Sequence, residues 1–356
     1  MKTIPEARQD IEKIDAQIVR LLGERQACAK IIGENKVRDG KNVFVPEREE
    51  ELLRKLEKLA AEIPVPQANI RAIYREIISA SVALQMQLPV AYLGPEGTFT
   101  HQAARKNFGG SVELQPKRTL VEIFDAVSRG QCAYGVVPVE NTNAGAVTGT
   151  LDILAETELK IIAQIELEIE QCLVCAGPLE KVTRVLSKDI ALEQCSEWLT
   201  RHLPNADLVP TDSTAAAVEA AAQDSSVAAI SSTIAAELRD VPVVERAIQN
   251  RGVNMTRFLV VGKKPNPSCT LCEEKTSIVL VVKNEPGSLL RALEPFSKRT
   301  LNIMRIESRP VRARAWEYMF FIDFIGSWDA PKVREAIAEL EKIAVSVKHL
   351  GSYPNT

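Results

Sequence analysis

Residues 11–36 read IEKIDAQIVRLLGERQACAKIIGENK, and apolar side chains recur there at alternating three- and four-residue steps. The spacing predicts one long helix with an apolar seam of Ile11, Ile14, Ile18, Leu21, Cys28 and Ile32. Arg25 falls on this seam. A charge among buried apolar groups is costly unless an opposite charge meets it, and no acidic residue interrupts the seam. Its counter-ion is therefore either an anionic ligand or an acid on another helix.

Other polar side chains in this region suit the same ligand. Lys36 lies eleven residues after Arg25 on nearly the same helix face, with the two Cα atoms roughly 16 Å apart along the axis. The next helical stretch opens at residues 46–49, Pro-Glu-Arg-Glu, and a third carries Ser81 and Gln85 one turn apart. Cations, an acid and a neutral amide on three helices suit a small polyanion that also needs a hydrogen bond at an uncharged oxygen.

Composition narrows the class of protein. At 356 residues the chain predicts two or three domains, with 46% apolar and 26% charged residues. The net charge is −3, and the sequence contains no cluster of basic residues of the kind that binds nucleic acid. No apolar run approaches membrane-spanning length, and the N-terminus lacks the apolar core of a signal peptide. We therefore predict a cytoplasmic protein that binds neither nucleic acid nor membrane.

The cysteines favour a reducing compartment, because seven is an odd number and most lie in apolar contexts. Cys172 and Cys175 belong to a predicted strand, which would point their sulfurs to opposite faces. Cys269 and Cys272 lie in a predicted linker. A zinc site joining the two pairs is the alternative, but the three histidines are dispersed, and we predict neither metal nor cofactor.

The sequence pattern of residues 1–88 predicts helices only, with breaks at Asp39-Gly40 and at residues 63–66. A first helix of about 35 residues would span roughly 50 Å. Three helices with one that long make a poor monomeric globule. We therefore predict that the long helix packs against a partner chain in an interlocked dimer.

Residues 89–264 alternate short β-rich runs with helices, which predicts an α/β fold with open sheets. The predicted strands are Val90–Leu93, Tyr134–Val139, Lys160–Ile165, Val185–Ser187, Ala228–Ser231 and Phe258–Val261. The predicted helices include Leu120–Arg129, Leu192–His202 and Thr214–Ala222. Ligands of such folds lie at the carboxyl ends of strands, beside helix N-termini.

After a predicted linker at residues 263–275, residues 276–356 show a strand–helix–strand–strand–helix–strand order typical of a ferredoxin-like unit. The predicted strands are Ser277–Val282, Leu301–Ser308, Trp316–Ile325 and Ser346–Leu350. The predicted helices are Gly287–Arg299 and Pro331–Ile343.

Three motifs of the middle segment suit a hydroxylated, carboxylated ligand. Residues 94–100, Gly-Pro-Glu-Gly-Thr-Phe-Thr, form a turn that can cradle an anion. Glu140 and Asn141 follow a strand, and an acid beside an amide can bind a hydroxyl group. Thr256 and Arg257 precede a strand, and the guanidinium can bind a carboxylate bidentately. The structural alternatives are a glycine turn, side chains that cap backbone groups, and a surface arginine.

Two motifs of the last segment suit a small zwitterion. Residues 286–290, Pro-Gly-Ser-Leu-Leu, open a helix and offer free N–H groups for a carboxylate. Residues 307–310, Glu-Ser-Arg-Pro, end a strand and offer an acid for an ammonium group. An ordinary helix cap and an exposed ion pair are the alternatives.

Together and in this order, these motifs resemble the bifunctional chorismate mutase–prephenate dehydratases of bacterial phenylalanine biosynthesis over essentially the whole chain. The resemblance implies an all-helical chorismate mutase at 1–88, a two-lobed, periplasmic-binding-protein-like prephenate dehydratase at 89–264 and a regulatory ACT domain at 276–356. It implies an isomerase and a lyase in one multifunctional, allosteric enzyme, arranged as a homodimer or homotetramer.

For the mutase, the positions matching the family are Arg8, Arg25, Lys36, Arg48, Glu49, Ser81 and Gln85. The resemblance implies that the arginines clamp the carboxylates of chorismate, with Arg8 supplied by the partner chain. Lys36 and Gln85 would donate to the ether oxygen, and Glu49 would bind the ring hydroxyl. Some relatives have an aspartate at the position of Val45.

For the dehydratase, the matching positions are Thr98, Thr100, Glu140, Asn141, Thr142, Ser187, Gln194, Thr256, Arg257 and Phe258. Many relatives have serine in place of Thr142 and glutamate in place of Ala144, so nothing is assigned to Ala144. Prephenate loses hydroxide and CO₂ together, which requires a proton donor near the ring hydroxyl. The resemblance suggests Thr256 as this donor. Because a threonine hydroxyl is a weak acid, the alternatives are that Thr256 orients another donor or that a neutral Glu140 donates the proton.

For the ACT domain, the positions matching the L-phenylalanine site are Gly287, Ser288, Leu289, Leu290, Glu307, Ser308, Arg309 and Pro310. Alanine often stands in place of Ser288. Two other functions remain: a dehydratase that prefers arogenate, and a non-catalytic amino-acid sensor. The cationic set of residues 1–88 argues against the sensor, which needs no such site.

Overall fold

A computed structural model describes residues 2–61, 63–86, 88–250, 252–267, 272–311 and 317–355. The chain divides into two compact units. The first, the helical unit, comprises Met1–Pro89 together with Phe108–Glu113. The second comprises Val90–Asn107 and Leu114–Thr356.

The helical unit contains α1 (Ile4–Arg38), α2 (Pro46–Ala60) and α3 (Gln67–Gln85). Thr3 and Glu6 form a capping box at the start of α1, where Pro5 occupies the first turn. Gly40, whose φ of 64° favours glycine, follows the end of this helix. The predicted 35-residue helix is confirmed, and so is the start of α2 at Pro46.

The seam of α1 is exposed in the single chain. Five of its apolar residues are between 48% and 62% exposed, namely Ile11, Ile14, Ile18, Leu21 and Ile32. Cys28 is exposed as well. An apolar stripe of this length is unfavourable in water, as expected of a surface that packs against another protein. The dimer itself stays a prediction.

The first lobe of the second unit is a mixed sheet in the order β2-β1-β3-β11-β5, with the short β4 paired to β3. Its strands are β1 (Val90–Leu93), β2 (Leu114–Lys117), β3 (Tyr134–Asn141), β4 (Gly145–Ala146), β5 (Lys160–Glu168) and β11 (Met255–Gly262). Its helices are α4 (Phe99–Phe108), α5 (Leu120–Ser128) and α6 (Thr148–Glu156). Strand β11 is the last strand of this lobe in sequence, yet it lies antiparallel between β3 and β5. Its start therefore lies beside the end of β3.

The second lobe has the order β10-β6-β9-β7-β8. Its strands are β6 (Cys172–Cys175), β7 (Arg184–Ser187), β8 (Asp207–Pro210), β9 (Val227–Ser231) and β10 (Val243–Glu245). Its helices are α7 (Asp189–Gln194), α8 (Ser196–His202), α9 (Thr214–Gln223) and α10 (Thr233–Leu238). The predicted fold class and the strands proposed from sequence are confirmed. Strands β3 and β11 are longer than predicted and include Glu140, Asn141, Thr256 and Arg257, which were expected just outside them. The edge strand β8 was not predicted, because its four residues are all exposed and do not alternate between apolar and polar side chains.

The single helix predicted at residues 192–202 is wrong, because the structure divides it at Cys195. The side chain of Asn250 occupies the break. It donates to the carbonyl of Glu193 and to Ser196 Oγ at 3.3 Å each, and accepts from the N–H of Glu197 at 3.1 Å. A distant amide thus satisfies backbone groups that a continuous helix would have used.

The C-terminal domain has the predicted ferredoxin-like order. Its elements are β12 (Glu274–Val281), α11 (Ser288–Lys298), β13 (Ile303–Pro310), β14 (Tyr318–Ile325), α12 (Pro331–Leu340) and β15 (Ser346–Pro354), with sheet order β13-β14-β12-β15. Trp316, predicted to start the third strand, lies outside the described residues.

The sheet of the C-terminal domain packs directly on the first lobe. Val279, Phe321 and Tyr353 of this sheet join one apolar core with Ile161 and Val261 of the first lobe. At Gly351 a Cβ atom would collide with the carbonyl oxygen of Ile161. The shared core makes the first lobe and the C-terminal domain a single packed body.

Candidate functional site

Arg25 and Ser81 meet within the helical unit. Arg25 Nη1 donates to Ser81 Oγ at 2.5 Å and to the carbonyl of Ile77 at 3.5 Å. Ser81 Oγ in turn donates to the same carbonyl at 2.9 Å. Among the described residues, no carboxylate lies within ion-pair distance of this half-buried guanidinium. Arg25 is therefore held in place by neutral acceptors, and its charge stays available for an anion.

Lys36 has a similar environment. Its Nζ donates to the carbonyl of Val43 at 2.7 Å. Burial lowers the pKa of Lys36, and the charge of nearby Glu49 opposes this shift. Burial also raises the pKa of Glu49 to about 7, against the opposing charges of Arg75 and Lys36. The site therefore joins two half-buried cations with one carboxyl group that titrates near neutrality.

Gln85 lies against Gly33, on the face of α1 between Arg25 and Lys36. A Cβ atom at Gly33 would come within 2.5 Å of Gln85 Cγ, so only glycine permits this approach. Gln85 Oε1 is buried and has no hydrogen-bond partner in the part of the chain that the structure describes. A buried amide with unused hydrogen-bonding capacity is unusual and suits a ligand.

Two predicted mutase residues lie apart from this group. Arg8 is exposed, and a separation of 17 residues along α1 places it about 25 Å from Arg25. Arg48 is exposed and pairs with Glu51 at 2.6 Å, one turn along the same helix. Within one chain, Arg8 lies too far along α1 to contact a ligand bound at Arg25, and its contribution from a partner chain stays a prediction.

Asn141 and Thr256 meet where the end of β3 lies beside the start of β11. Asn141 Oδ1 accepts from the backbone N–H groups of Asn143 and Ala144, at 2.9 Å each. Both partners are donors, so this atom must be the amide oxygen. Asn141 Nδ2 then donates to Thr256 Oγ1 at 2.8 Å and to Asn254 Oδ1 at 2.9 Å. Because Thr256 Oγ1 accepts from Asn141, its own hydroxyl proton is left to donate elsewhere.

The same network reaches the second lobe through Gln194. Asn254 Nδ2 donates to Gln194 Oε1 at 3.1 Å, and Gln171 Nε2 donates to it at 3.3 Å. Thr142 Oγ1 donates to the carbonyl of Val253 at 2.9 Å and fixes the neighbouring backbone. The sequence analysis missed Asn254 and Gln171, although Asn254 lies only two residues before Thr256.

Glu140 and Arg257 form an ion pair on the opposite side of these strands. Adjacent residues of a strand point to opposite faces, so the side chain of Glu140 lies away from Asn141, and that of Arg257 away from Thr256. Arg257 Nη1 lies 3.4 Å from Asp323 Oδ2, and Arg305 Nε lies 3.3 Å from Glu140 Oε2. The sequence-based interpretation of Glu140 and Asn141 as one hydroxyl-binding pair therefore needs correction.

Four other residues that were predicted to bind substrate are buried or hydrogen-bonded within the fold. Ser187 Oγ is fully buried and donates to the carbonyl of Ile230 at 2.7 Å. Thr98 Oγ1 donates to the carbonyl of Leu93 and accepts the N–H of His101 at the start of α4. Thr100 is 6% exposed, and Phe258 is 1% exposed within the core. The part of these side chains in binding a substrate stays a prediction.

The two lobes touch beside the turn at residues 94–100. Ser232 Oγ donates to the carbonyl of Gly97 at 2.7 Å. Gly97 has a φ of +87°, and a Cβ atom there would lie 2.8 Å from Ala235 Cβ. Only glycine permits both the conformation and the approach, so the lobes are closed over this turn.

The predicted effector residues lie in the C-terminal domain. Gly287, with φ of 77°, precedes α11, which begins at Ser288 and continues through Leu289 and the exposed Leu290. Glu307, Ser308, Arg309 and Pro310 end β13. Arg309 donates from Nε and Nη2 to Asp152 of α6, at 3.0 to 3.1 Å. The second predicted effector motif therefore contacts the first lobe directly.

The cysteine predictions have a mixed outcome. Cys172 and Cys175 lie on β6 as predicted, and their sulfurs enter different apolar clusters. Cys272 is disulfide-bonded, whereas Cys269 lies outside the described residues. Within the described ranges, His, Cys, Asp and Glu side chains form no group suited to a metal ion.

Among the helices described, none has the length and apolarity to cross a membrane.

Family models match three consecutive segments: chorismate mutase type II at residues 7–86, prephenate dehydratase at 90–266 and ACT domain at 276–342. The bifunctional chorismate mutase/prephenate dehydratase of Aquifex aeolicus is 43% identical, over 99% of this chain and 98% of its own length. The enzyme of that name from Pseudomonas aeruginosa is 36% identical, over 98% and 96%.

Among solved structures, the prephenate dehydratase of Arthrobacter aurescens in complex with L-Phe is similar, with a TM-score of 0.70 and 32% identity. The match covers 75% of this chain and 90% of that one. The segment order, the two-lobed sheets and the near full-length relatives agree with the resemblance found in the sequence. The chain belongs to the bifunctional chorismate mutase/prephenate dehydratase family.

Proposed function

We propose that this protein rearranges chorismate to prephenate in its helical unit and converts prephenate to phenylpyruvate in its two-lobed segment, under inhibition by L-phenylalanine. The observation that carries the proposal is the half-buried Arg25 and Lys36, each hydrogen-bonded to neutral groups and neither ion-paired with a described carboxylate. An assay that starts from chorismate and follows both products tests it.

The mutase reaction is a [3,3] rearrangement that needs no covalent catalyst. The enzyme has to hold a dianion in a compact shape and stabilise the charge that grows on the ether oxygen. Arg25, positioned by Ser81, suits a carboxylate, while Lys36 and Gln85 suit the ether oxygen. We further propose a dimer through the exposed seam of α1, in which the partner chain supplies Arg8.

The dehydratase reaction expels hydroxide and CO₂ from one ring, driven by aromatisation. The leaving hydroxide needs a proton, and Thr256 is positioned to donate one because Asn141 already donates to its oxygen. We assign Glu140 no part in this protonation, because it accepts from Arg257 and lies beside Arg305. Three features stay predictions: a preference for prephenate over arogenate, assembly as a homodimer or homotetramer, and a cytoplasmic location.

We expect the pH dependence of the mutase rate to follow the ionisation of Glu49. Its raised pKa of about 7 means that the carboxylate forms only as the pH passes through neutrality. If the carboxylate accepts the ring hydroxyl of chorismate, kcat/KM for chorismate rises with pH through about 7. Glu49→Gln is expected to remove this inflection, whereas a matched change at exposed Glu34 is expected to keep it. An identical pH profile in the Glu49 variant would refute the role.

Inhibition by L-phenylalanine is expected to weaken when Arg309 is replaced with alanine. The substitution removes the bidentate contact with Asp152. Asp152 lies on α6, which begins seven residues after Asn141, the last residue of β3. A rise of about tenfold in the half-inhibitory concentration is expected, from typical coupling energies. Arg334→Ala, which removes an exposed pair with Asp329 in the same domain, is the control. Full inhibition retained in the Arg309 variant contradicts the assignment.

A further inference from the structure

A cluster of charged side chains, which we call the bridging cluster, joins the catalytic strands to the C-terminal domain. It consists of Glu140, Arg257, Arg305, Glu307 and Asp323. The side chains of Arg305, Asp323 and Arg257 are only 9%, 10% and 18% exposed. Charges this buried interact strongly, so a change at one member is felt by the others.

An irregularity in β13 turns three charged side chains toward the dehydratase lobe. The register of β13 against β14 shifts between Ile303 and Arg305. After the shift Arg305 is paired with Asp323, and Glu307 with Phe321, whose side chain belongs to the core shared with the first lobe. Glu307 and Arg309 therefore belong to the predicted effector motif and also face the catalytic lobe.

Arg305 lies between two acids without a good hydrogen bond to either. Its Nε is 3.3 Å from Glu140 Oε2, and its Nη2 is 3.7 Å from Glu307 Oε2. Both nitrogens are buried and lack a hydrogen-bond partner among the described residues. Unsatisfied buried donors are costly, so a small shift toward one acid would improve one contact at the expense of the other.

Arg257 completes the connection to the active site. It pairs with Glu140 and lies near Asp323, and burial together with the charge of Arg305 lowers the pKa of Arg257. The residue before it is Thr256, and the residue after Glu140 is Asn141. The backbone of β3 and β11 therefore carries the ion pair on one face and the proposed proton-donating pair on the other.

We propose that Arg305 is a positioning residue that transmits L-phenylalanine binding from Glu307 to the Asn141–Thr256 pair. The ammonium group of the effector draws Glu307 away from Arg305, and Arg305 then binds Glu140 more closely. Glu140 loosens its contact with Arg257, and the ends of β3 and β11 shift. This inference rests on the proposed function, because it requires a dehydratase that L-phenylalanine inhibits.

Linkage makes the proposal quantitative. An effector inhibits only as far as it binds the active and inhibited states with different affinity. Without Arg305, the active and inhibited states no longer differ in the contacts of Glu140. The effector then still binds, but its binding no longer inhibits the dehydratase. Simple damage to the effector site would weaken binding and inhibition together, and damage to the fold would lower both activities.

The test uses the full chain with Arg305→Met, which replaces the apolar stem of the arginine with an unbranched apolar side chain and removes its charge and donors. We expect the calorimetric Kd for L-phenylalanine to stay within about threefold, while the half-inhibitory concentration for the dehydratase rises by about tenfold or more. Arg305→Gln, which keeps a neutral donor in this buried polar site, is expected to show the same separation of binding from inhibition. The exposed Arg334→Ala variant is expected to match the parent protein in both measurements.

Each result is decisive. Unchanged inhibition in both Arg305 variants would overturn the inference while leaving the proposed function intact, since the parent protein would still be an inhibited dehydratase. Parallel loss of binding and inhibition would overturn it too, because Arg305 would then belong to the effector site. A parent protein without dehydratase activity, or without inhibition, would instead overturn the proposed function and this inference with it.

Discussion

Replacing Thr256 with alanine is expected to abolish dehydratase activity and to leave mutase activity at the level of the parent protein. The substitution removes the Thr256 hydroxyl. That hydroxyl accepts a hydrogen bond from Asn141 Nδ2, so its own proton is available to a ligand. Loss of a positioned proton donor lowers rates by about 10²- to 10⁴-fold. The measurement is kcat for prephenate and for chorismate on the same preparation.

Two control variants separate chemistry from folding. Thr256→Ser keeps the hydroxyl and should retain much of the dehydratase rate. Thr183→Ala removes an exposed threonine whose hydroxyl donates to the carbonyl of Ser226, and should change neither rate. A Thr256→Ala variant that turns over prephenate as fast as the parent protein would rule out the proposed donor. Parallel loss of both activities would indicate misfolding instead.

The Gln85→Leu variant is expected to fold and to lose most of its mutase rate, with dehydratase activity retained. Leucine fills nearly the same space against Gly33, but it cannot hydrogen-bond the ether oxygen as charge develops there. Removing one such donor typically lowers kcat by about 10²- to 10³-fold. An unchanged kcat for chorismate would refute the role of Gln85. Gln67→Leu, at an exposed position of the same helix, is the matched control.

Much of the architecture was predictable because its signals are local. The three- and four-residue steps of α1 predicted a helix whose 35 residues the structure confirms. The order of strands and helices predicted the α/β segment and the ferredoxin-like domain. The break at Cys195 was not predictable, because it depends on Asn250, more than fifty residues away in sequence.

The sites were predictable in composition but not in arrangement. Sequence reasoning placed Glu140 and Asn141 together, and neighbours in a strand indeed lie together along the chain. It did not separate their faces, because that requires knowing that β11 pairs with β3 and that the C-terminal sheet covers one side. Arg305 belongs to no motif, and only the shifted register of β13 shows that it faces Glu140.

The most direct test of the account supplies the purified protein with chorismate alone and follows chorismate, prephenate and phenylpyruvate over time, with and without L-phenylalanine. We predict that chorismate disappears, that prephenate rises and then falls as phenylpyruvate accumulates, and that L-phenylalanine suppresses the second step. Chorismate that persists unchanged while L-phenylalanine binds would contradict the account and would indicate an amino-acid sensor without catalytic activity.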